Sequence, residues 1–222
     1  MTKKLSLALA LLLTMGIMTS CFEVREKLHL KKNGSGQFVY TLDFSESSNT
    51  LSIAKMMAGF RNKTSPDEKI KKSMQQTLEA LQSTEGISNA NIERNDERFI
   101  YKVSFDFDDV ESLNAALNKF VKSEEEITFF SYDGRTFSRS DAVSIRETIE
   151  REMANEGSSL NGLDPYDLFS EATYVTEYSF DKAIKEAAVK GKVTQEDHRL
   201  KSEHFIFSKD EKESMAQSIR LR

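Results

Sequence analysis

A single cysteine, Cys21, stands among the 222 residues, behind the longest apolar run of the chain and separated from it by two residues. The run from Leu5 to Met18 is interrupted only by Ser6, Thr14 and Gly16. It covers 14 residues, whereas a bilayer-crossing helix needs about 20 and a secretory signal core roughly 7–15. Lys3 and Lys4 precede it, and Glu23, Arg25, Glu26 and Lys27 prevent its extension on the far side. Residues 1–20 therefore read as a signal peptide. One cysteine allows no disulfide within the chain, so packing must provide the stability of whatever folds behind it.

The residues Ile17-Met18-Thr19-Ser20-Cys21 resemble a lipobox, the signal for lipoprotein processing, with small residues at the two positions before the cysteine. Met18 departs from the usual Leu, Val or Ile. The resemblance implies that the Cys21 thiolate takes a diacylglyceryl group and that the signal is cut just before it. Sulfur is needed there because the thiolate is the nucleophile. One acyl chain holds a protein only marginally and two hold it stably, so a lipidated Cys21 anchors the chain after the signal is lost. Phe22 stands where an inner-membrane retention signal has Asp, which favours the outer membrane within the cell envelope.

The signal carries two lysines and no acid, so a net charge of −5 for the whole chain becomes −7 from Cys21 onward. That balance opposes nucleic-acid binding, which needs clustered positive charge, and simple adsorption to anionic lipid. Fifteen Phe and six Tyr supply large apolar surfaces for a core, and only Pro66 and Pro165 punctuate the chain. No low-complexity linker appears. The expected organisation is a signal at 1–20, one domain at 21–208 and a polar tail at 209–222, with a short helix in the tail.

Phe22, Val24, Leu28 and Leu30 alternate with Glu23, Arg25, Lys27 and His29, the pattern of a half-buried strand. Asn33-Gly34 suits a tight turn, and Phe38, Tyr40, Leu42 and Phe44 continue as the second arm of a hairpin. Ile53, Met56, Met57 and Phe60 switch to helical spacing. A second helix begins near Pro66, with Ile70, Met74, Leu78 and Leu81 as its stripe and its end near Gly86. Ile87–Ile92 is a weak strand. Phe99–Phe107 is the clearest alternating strand, expected at the centre of the sheet. Asp108 and Glu111 are spaced as a capping box for a helix carrying Val110, Leu113, Leu117, Phe120 and Val121. A hairpin turns at Asp133-Gly134, and a further helix runs from Ser140 to Gly157. Strands follow at Ala172–Phe180, at Lys192-Val193 and, as the last, at His204–Ser208. Short turns between strand pairs imply antiparallel pairing. The expected class is α+β: a mostly antiparallel sheet built from strand pairs and hairpins, covered by several amphipathic helices.

A lipobox cysteine followed at once by an amphipathic strand, a Lys-Asn-Gly-Ser-Gly turn at residues 32–36 and a second strand resembles the LppM-like bacterial lipoproteins. Phe105-Asp106-Phe107 running into Ser112-Leu113-Asn114-Ala115-Ala116-Leu117-Asn118, and Tyr178-Ser179-Phe180, are similar too. The resemblance implies an envelope lipoprotein with an α+β domain and no catalytic motif. Many such chains carry a C-terminal membrane helix; residues 209–222 are too polar and short for one.

No catalytic, cofactor-binding or metal-ligating set emerges from the motifs. His29 lies on a polar strand face, and His198 and His204 are six apart, not the i, i+4 spacing of a helical metal pair. Counting a calcium loop from Asp106 puts Glu111 where Gly is required and Leu117 where Glu is required, so Asp106, Asp108 and Asp109 read as helix capping. No phosphate loop, Gly-x-Gly-x-x-Gly or Gly-x-Ser-x-Gly occurs. The methionine and phenylalanine stripes at 53–60 and 70–81 suit either core packing or the wall of a ligand cleft. The function expected is a non-enzymatic envelope module that binds an apolar, lipid-like ligand or a partner protein. The alternative is a carboxylate-dependent hydrolase acting on envelope material, which would need a cleft with paired acids. Cys21 is the one site residue expected. Cys21→Ser should release the chain from membranes, measured by fractionation after a high-salt wash; a variant still pelleting with membrane would exclude the lipid as the attachment.

Overall fold

The computed structural model describes residues 22–47, 66–121, 125–141, 146–147, 150, 169–208 and 214–222. Cys21, the signal segment and the expected helix at 53–60 lie outside them, as does most of the expected helix at 140–157; Arg146, Glu147 and Glu150 are helical.

The first hairpin forms as its alternation dictates. β1 (Glu23–Leu30) and β2 (Gly36–Asp43) pair antiparallel from Glu23 opposite Asp43 to Leu30 opposite Gly36. Gly34 supplies the positive φ of the turn, and Asn33 Oδ1 accepts the Ser35 N–H at 3.2 Å. Gly36 has a separate reason to be glycine: a Cβ there would overlap the His29 carbonyl and the Phe107 ring.

Helix α1 (Pro66–Gln82) and helix α2 (Val110–Val121) flank the next strand pair, β3 (Ile87–Asn95) and β4 (Ile100–Phe107). Gly86, at φ +74, ends the turn after α1. α2 is capped by Asp109 and not by the expected Asp108. Asp109 Oδ1 accepts the Ser112 N–H at 2.8 Å and its hydroxyl at 2.7 Å. The Ser112 N–H, then its hydroxyl, hold the Asp109 carboxyl below the ordinary range. This is an N-cap on the third helical N–H, one residue later than the box spacing suggested.

β5 (Phe130–Tyr132) and β6 (Thr136–Arg139) make the hairpin expected at Asp133-Gly134. β7 (Thr173–Phe180), β8 (Ile184–Val189), β9 (Lys192–Gln195), β10 (Arg199–Phe205) and β11 (Gln217–Leu221) complete the described strands. They form two sheets, a seven-stranded one in the order β3-β4-β2-β1-β7-β10-β9 and a four-stranded one in the order β5-β6-β11-β8. The class is α+β and the pairing mostly antiparallel; β1 and β7 pair in parallel.

Three expectations change. Several helices become two among the described residues, apart from the helical positions at 146, 147 and 150. β1, not the Phe99–Phe107 strand, is central in the large sheet, with β4 next to the edge strand β3. Residues 217–221 are a strand and not a helix. Ile219 is fully buried and Leu221 nearly so, because β11 pairs with β6 on one side and β8 on the other. The alternation Gln217, Ile219, Leu221 is too short to stand out among its charged neighbours, and β8, with Lys185 and Glu186 beside two alanines, is equally faint.

The small sheet and the helices cover one face of the large sheet. Phe137 of β6 packs against Tyr178 and Phe180 of β7 at ring distances of 5.4 and 5.5 Å, and Phe130 of β5 reaches Phe38 at 6.2 Å. Leu113, Ala116 and Leu117 of α2 join the same cluster as Phe105 and Phe107. A second apolar cluster gathers where β1 begins, around Phe22, Val24, Tyr174, Ile206 and Phe207.

Phe105 is 3% exposed and its ring lies 5.4 Å from that of Phe38. Phe105→Ala should cost about 3–5 kcal/mol, the range for truncating a buried Phe. Denaturant unfolding of residues 22–222 checks this, and a cost below about 1 kcal/mol, typical of a surface change, would contradict the packing.

Candidate functional site: a buried ion pair beside an apolar cleft

Along β1 the even-numbered residues face inward, so Val24, Leu28 and Leu30 are buried. Glu26 stands in the same phase and is buried with them, 4% exposed. Sequence reading counts the apolar members of that face and passes over Glu26, yet a lone carboxylate in apolar phase is a legible signal. A buried charge is costly unless paired and hydrogen-bonded. Arg139, at the end of β6, supplies the pairing: its Nε donates to Glu26 Oε1 at 3.1 Å and its Nη2 to Oε2 at 3.3 Å. From β7, the Tyr174 hydroxyl donates to Oε2 at 2.5 Å and the Tyr178 hydroxyl donates to Oε1. Each carboxylate oxygen thus accepts two hydrogen bonds.

Burial, then the Glu26 charge, pushes Tyr174 and Tyr178 well above the ordinary tyrosine value, so both remain donors. Burial lowers the Arg139 pKa, but the Glu26 charge, Tyr174, Tyr178 and the hydrogen bond to Glu26 together outweigh it and the guanidinium stays charged. A second buried polar group lies farther along the interface between the sheets. There Thr176 and Ser202 hydroxyls meet at 2.6 Å, and Gln217 Nε2 donates to them at 2.9 and 3.0 Å.

Tyr40 of β2 lies opposite Glu26 in the strand register. Burial, then the Glu26 charge, raises its pKa as well. Tyr40 also lines a cleft of about 350 Å³ between α1 and the inner face of β2, β4 and β3. Leu42, Phe44, Val103 and Tyr101 form its floor, Met74 of α1 overhangs it and Phe120 of α2 stands at one end, 5.6 Å from the Tyr40 ring. No lining residue carries a charge. Met74 belongs to the stripe that suited either a core or a cleft wall; Leu81 of that stripe is core and Met74 is wall. A larger depression of about 550 Å³ lies on the opposite face of the sheet. Its lining is largely polar and charged, Lys27, Glu177, Glu196, Arg199 and Lys201 among it, with Lys27 paired to Glu177 at 2.8 Å; the smaller cleft is the one an apolar ligand fits.

The remaining candidates stay apart. His29 lies on the outer face with Nδ1 3.0 Å from the Ser179 hydroxyl, and His198 Nδ1 is 3.0 Å from the Phe180 carbonyl. Asp106 accepts hydrogen bonds from Gln37 and Asn89. Among the described residues no group of three His, Cys, Asp or Glu is gathered where it could hold a metal, and no helix is long and apolar enough to cross a membrane.

No protein-family model and no curated protein sequence matches the chain. Among solved structures it is similar to the folded domain of Mycobacterium tuberculosis LppM, solved by NMR, with 9% identity and a TM-score of 0.47 over 90% of this chain and 89% of that one. A likeness of that size carries no argument about family or function.

Removing one partner of a buried pair leaves the other charge uncompensated. Arg139→Met should therefore cost about 3–5 kcal/mol. The double variant Glu26→Leu with Arg139→Met should regain much of that loss in denaturant unfolding; additive losses would show that the two side chains are not coupled.

Proposed function

We propose that this chain is a lipid-anchored envelope protein that binds an apolar, lipid-like ligand in the cleft between α1 and the inner face of β2–β4, without catalysing a reaction. The observation that carries the reading is the cleft's composition. It is a concavity of about 350 Å³ walled mainly by aromatic and aliphatic side chains, with Ser73 and Thr77 of α1 as its small polar members and no ionic group, within the size range of ligand sites. A charged or strongly polar ligand would lose its hydration there without finding an ionic partner.

The hydrolase alternative needs a carboxylate available to a substrate. Glu26, the buried carboxylate nearest the cleft wall, has both oxygens occupied by Arg139, Tyr174 and Tyr178. Its arrangement suits a structural link between the sheets better than acid–base work, which needs a group free to exchange its proton.

Met74 is half-buried on α1, and Arg in its place would bring a charge into the cleft while leaving the helix exposed on its other side. Met74→Arg should weaken binding of an environment-sensitive fluorescent fatty acid by about tenfold or more, equivalent to at least 1.4 kcal/mol. The thermal midpoint should stay near that of the unmodified chain. Unchanged affinity would place the ligand elsewhere.

A further inference from the structure

We infer that the cleft faces the membrane that holds the chain and takes up an acyl chain of a bilayer phospholipid, entering at the Phe44 end. The inference rests on the lipid anchor at Cys21 and on the cleft as the ligand site. Its geometric basis is the register of the first hairpin. Glu23 lies opposite Asp43, which brings Phe22 beside Phe44, and the two rings are 5.4 Å apart. Phe44 lines the cleft. Cys21 is the next residue back, and consecutive Cα atoms are about 3.8 Å apart. The attachment point of the lipid and one end of the cleft therefore share one end of the large sheet.

From there the cleft runs along β2, from Phe44 through Leu42 to Tyr40. Four residues of strand span about 13 Å at 3.3 Å each. An extended hydrocarbon chain entering at Phe44 lies parallel to the strand over apolar side chains, and meets the Tyr40 and Phe120 rings at the inner end.

A separate residue marks the same end of the sheet. Glu23 pairs with Thr173, and Thr173 with Phe205. Phe205, on β10, is 55% exposed, the most exposed large apolar side chain among the described residues. An aromatic ring at the level of the anchor suits the interfacial zone of a bilayer, where aromatic side chains are enriched. With a net charge of −7 behind the anchor, apposition comes from the anchor and apolar contact, not from attraction to anionic lipid.

The test uses the full, processed chain in vesicles of phosphatidylethanolamine and phosphatidylglycerol that contain a trace of phosphatidylethanolamine with a photoreactive group near the end of one acyl chain. After illumination and digestion, mass spectrometry should find the label on peptides containing Met74 and Phe120. Met74→Arg should reduce that labelling severalfold. Cys21→Ser chain added to the same vesicles should also be labelled severalfold less. Label confined to the peptides of Phe22 and Phe205 would overturn the inference, as would equal labelling of the Cys21→Ser chain or of Met74→Arg. The mass of the N-terminal peptide reports the lipid independently. Its absence would overturn the anchor and this inference together, while fatty-acid binding by the unanchored chain would still stand or fall on the fluorescence titration.

Discussion

β1 is paired along its whole length on both sides, antiparallel to β2 and parallel to β7, so its inward face has no route to solvent except through the layer above it. A carboxylate on that face must find its charge partner in that layer. Arg139 reaches it from the small sheet, and Tyr174 and Tyr178 complete its shell from the neighbouring strand. Slipping β1 by one residue would turn Glu26 outward and Arg25 or Lys27 inward, because strand faces alternate. The pair therefore ties the register of the central strand to the placement of β6 above it. Buried ion pairs contribute little net stability against apolar replacements, and their best-attested role is this kind of specification.

The placement of the small sheet has a consequence for the cleft. Phe130 and Phe137 cover β2 near Phe38 and β7 near Tyr178 and Phe180. Helix α2 covers the Phe105–Phe107 end of β4. Farther along the inner face, at Tyr40, Leu42, Tyr101 and Val103, the described residues that meet the sheet are those of α1 and the end of α2, and the packing there leaves a concavity. The cleft is thus the part of the inner face that the small sheet does not reach. Its position at the Phe44 end follows from where Arg139 and the aromatic rings fasten the two sheets together.

The topology also makes the fold depend on its last residues. β3, β4, β2 and β1 are neighbours built from the first half of the chain, and β1 joins them to β7 across a long sequence separation. β11 enters the middle of the small sheet only when residues 217–221 are available. Pairings between strands distant in sequence carry a loop-closure cost that their contacts must offset.

Much of the architecture was legible in local pattern. The β1–β2 hairpin, α1, α2, the β5–β6 turn and β7 announce themselves through alternation, helical spacing and turn residues, each of which is a short-range property of the chain. Phe99–Phe107 read as a strand for the same reason, but its rank in the sheet did not, because alternation says which face is buried and nothing about how many strands lie beyond. The faint strands β8 and β11 become strands through neighbours on both sides, a tertiary effect that overrides weak local preference. Glu26 shows the division most clearly. Its position in apolar phase is written in the sequence, and so are Arg139, Tyr174 and Tyr178. Their convergence comes only from the parallel pairing of β1 with β7 and the stacking of β6 above them, since residues 113 to 152 positions apart meet by topology and not by spacing. The same holds for the cleft. Its apolar residues are visible as stripes, but whether a stripe fills a core or walls a cavity depends on what packs against it, and that is decided in three dimensions.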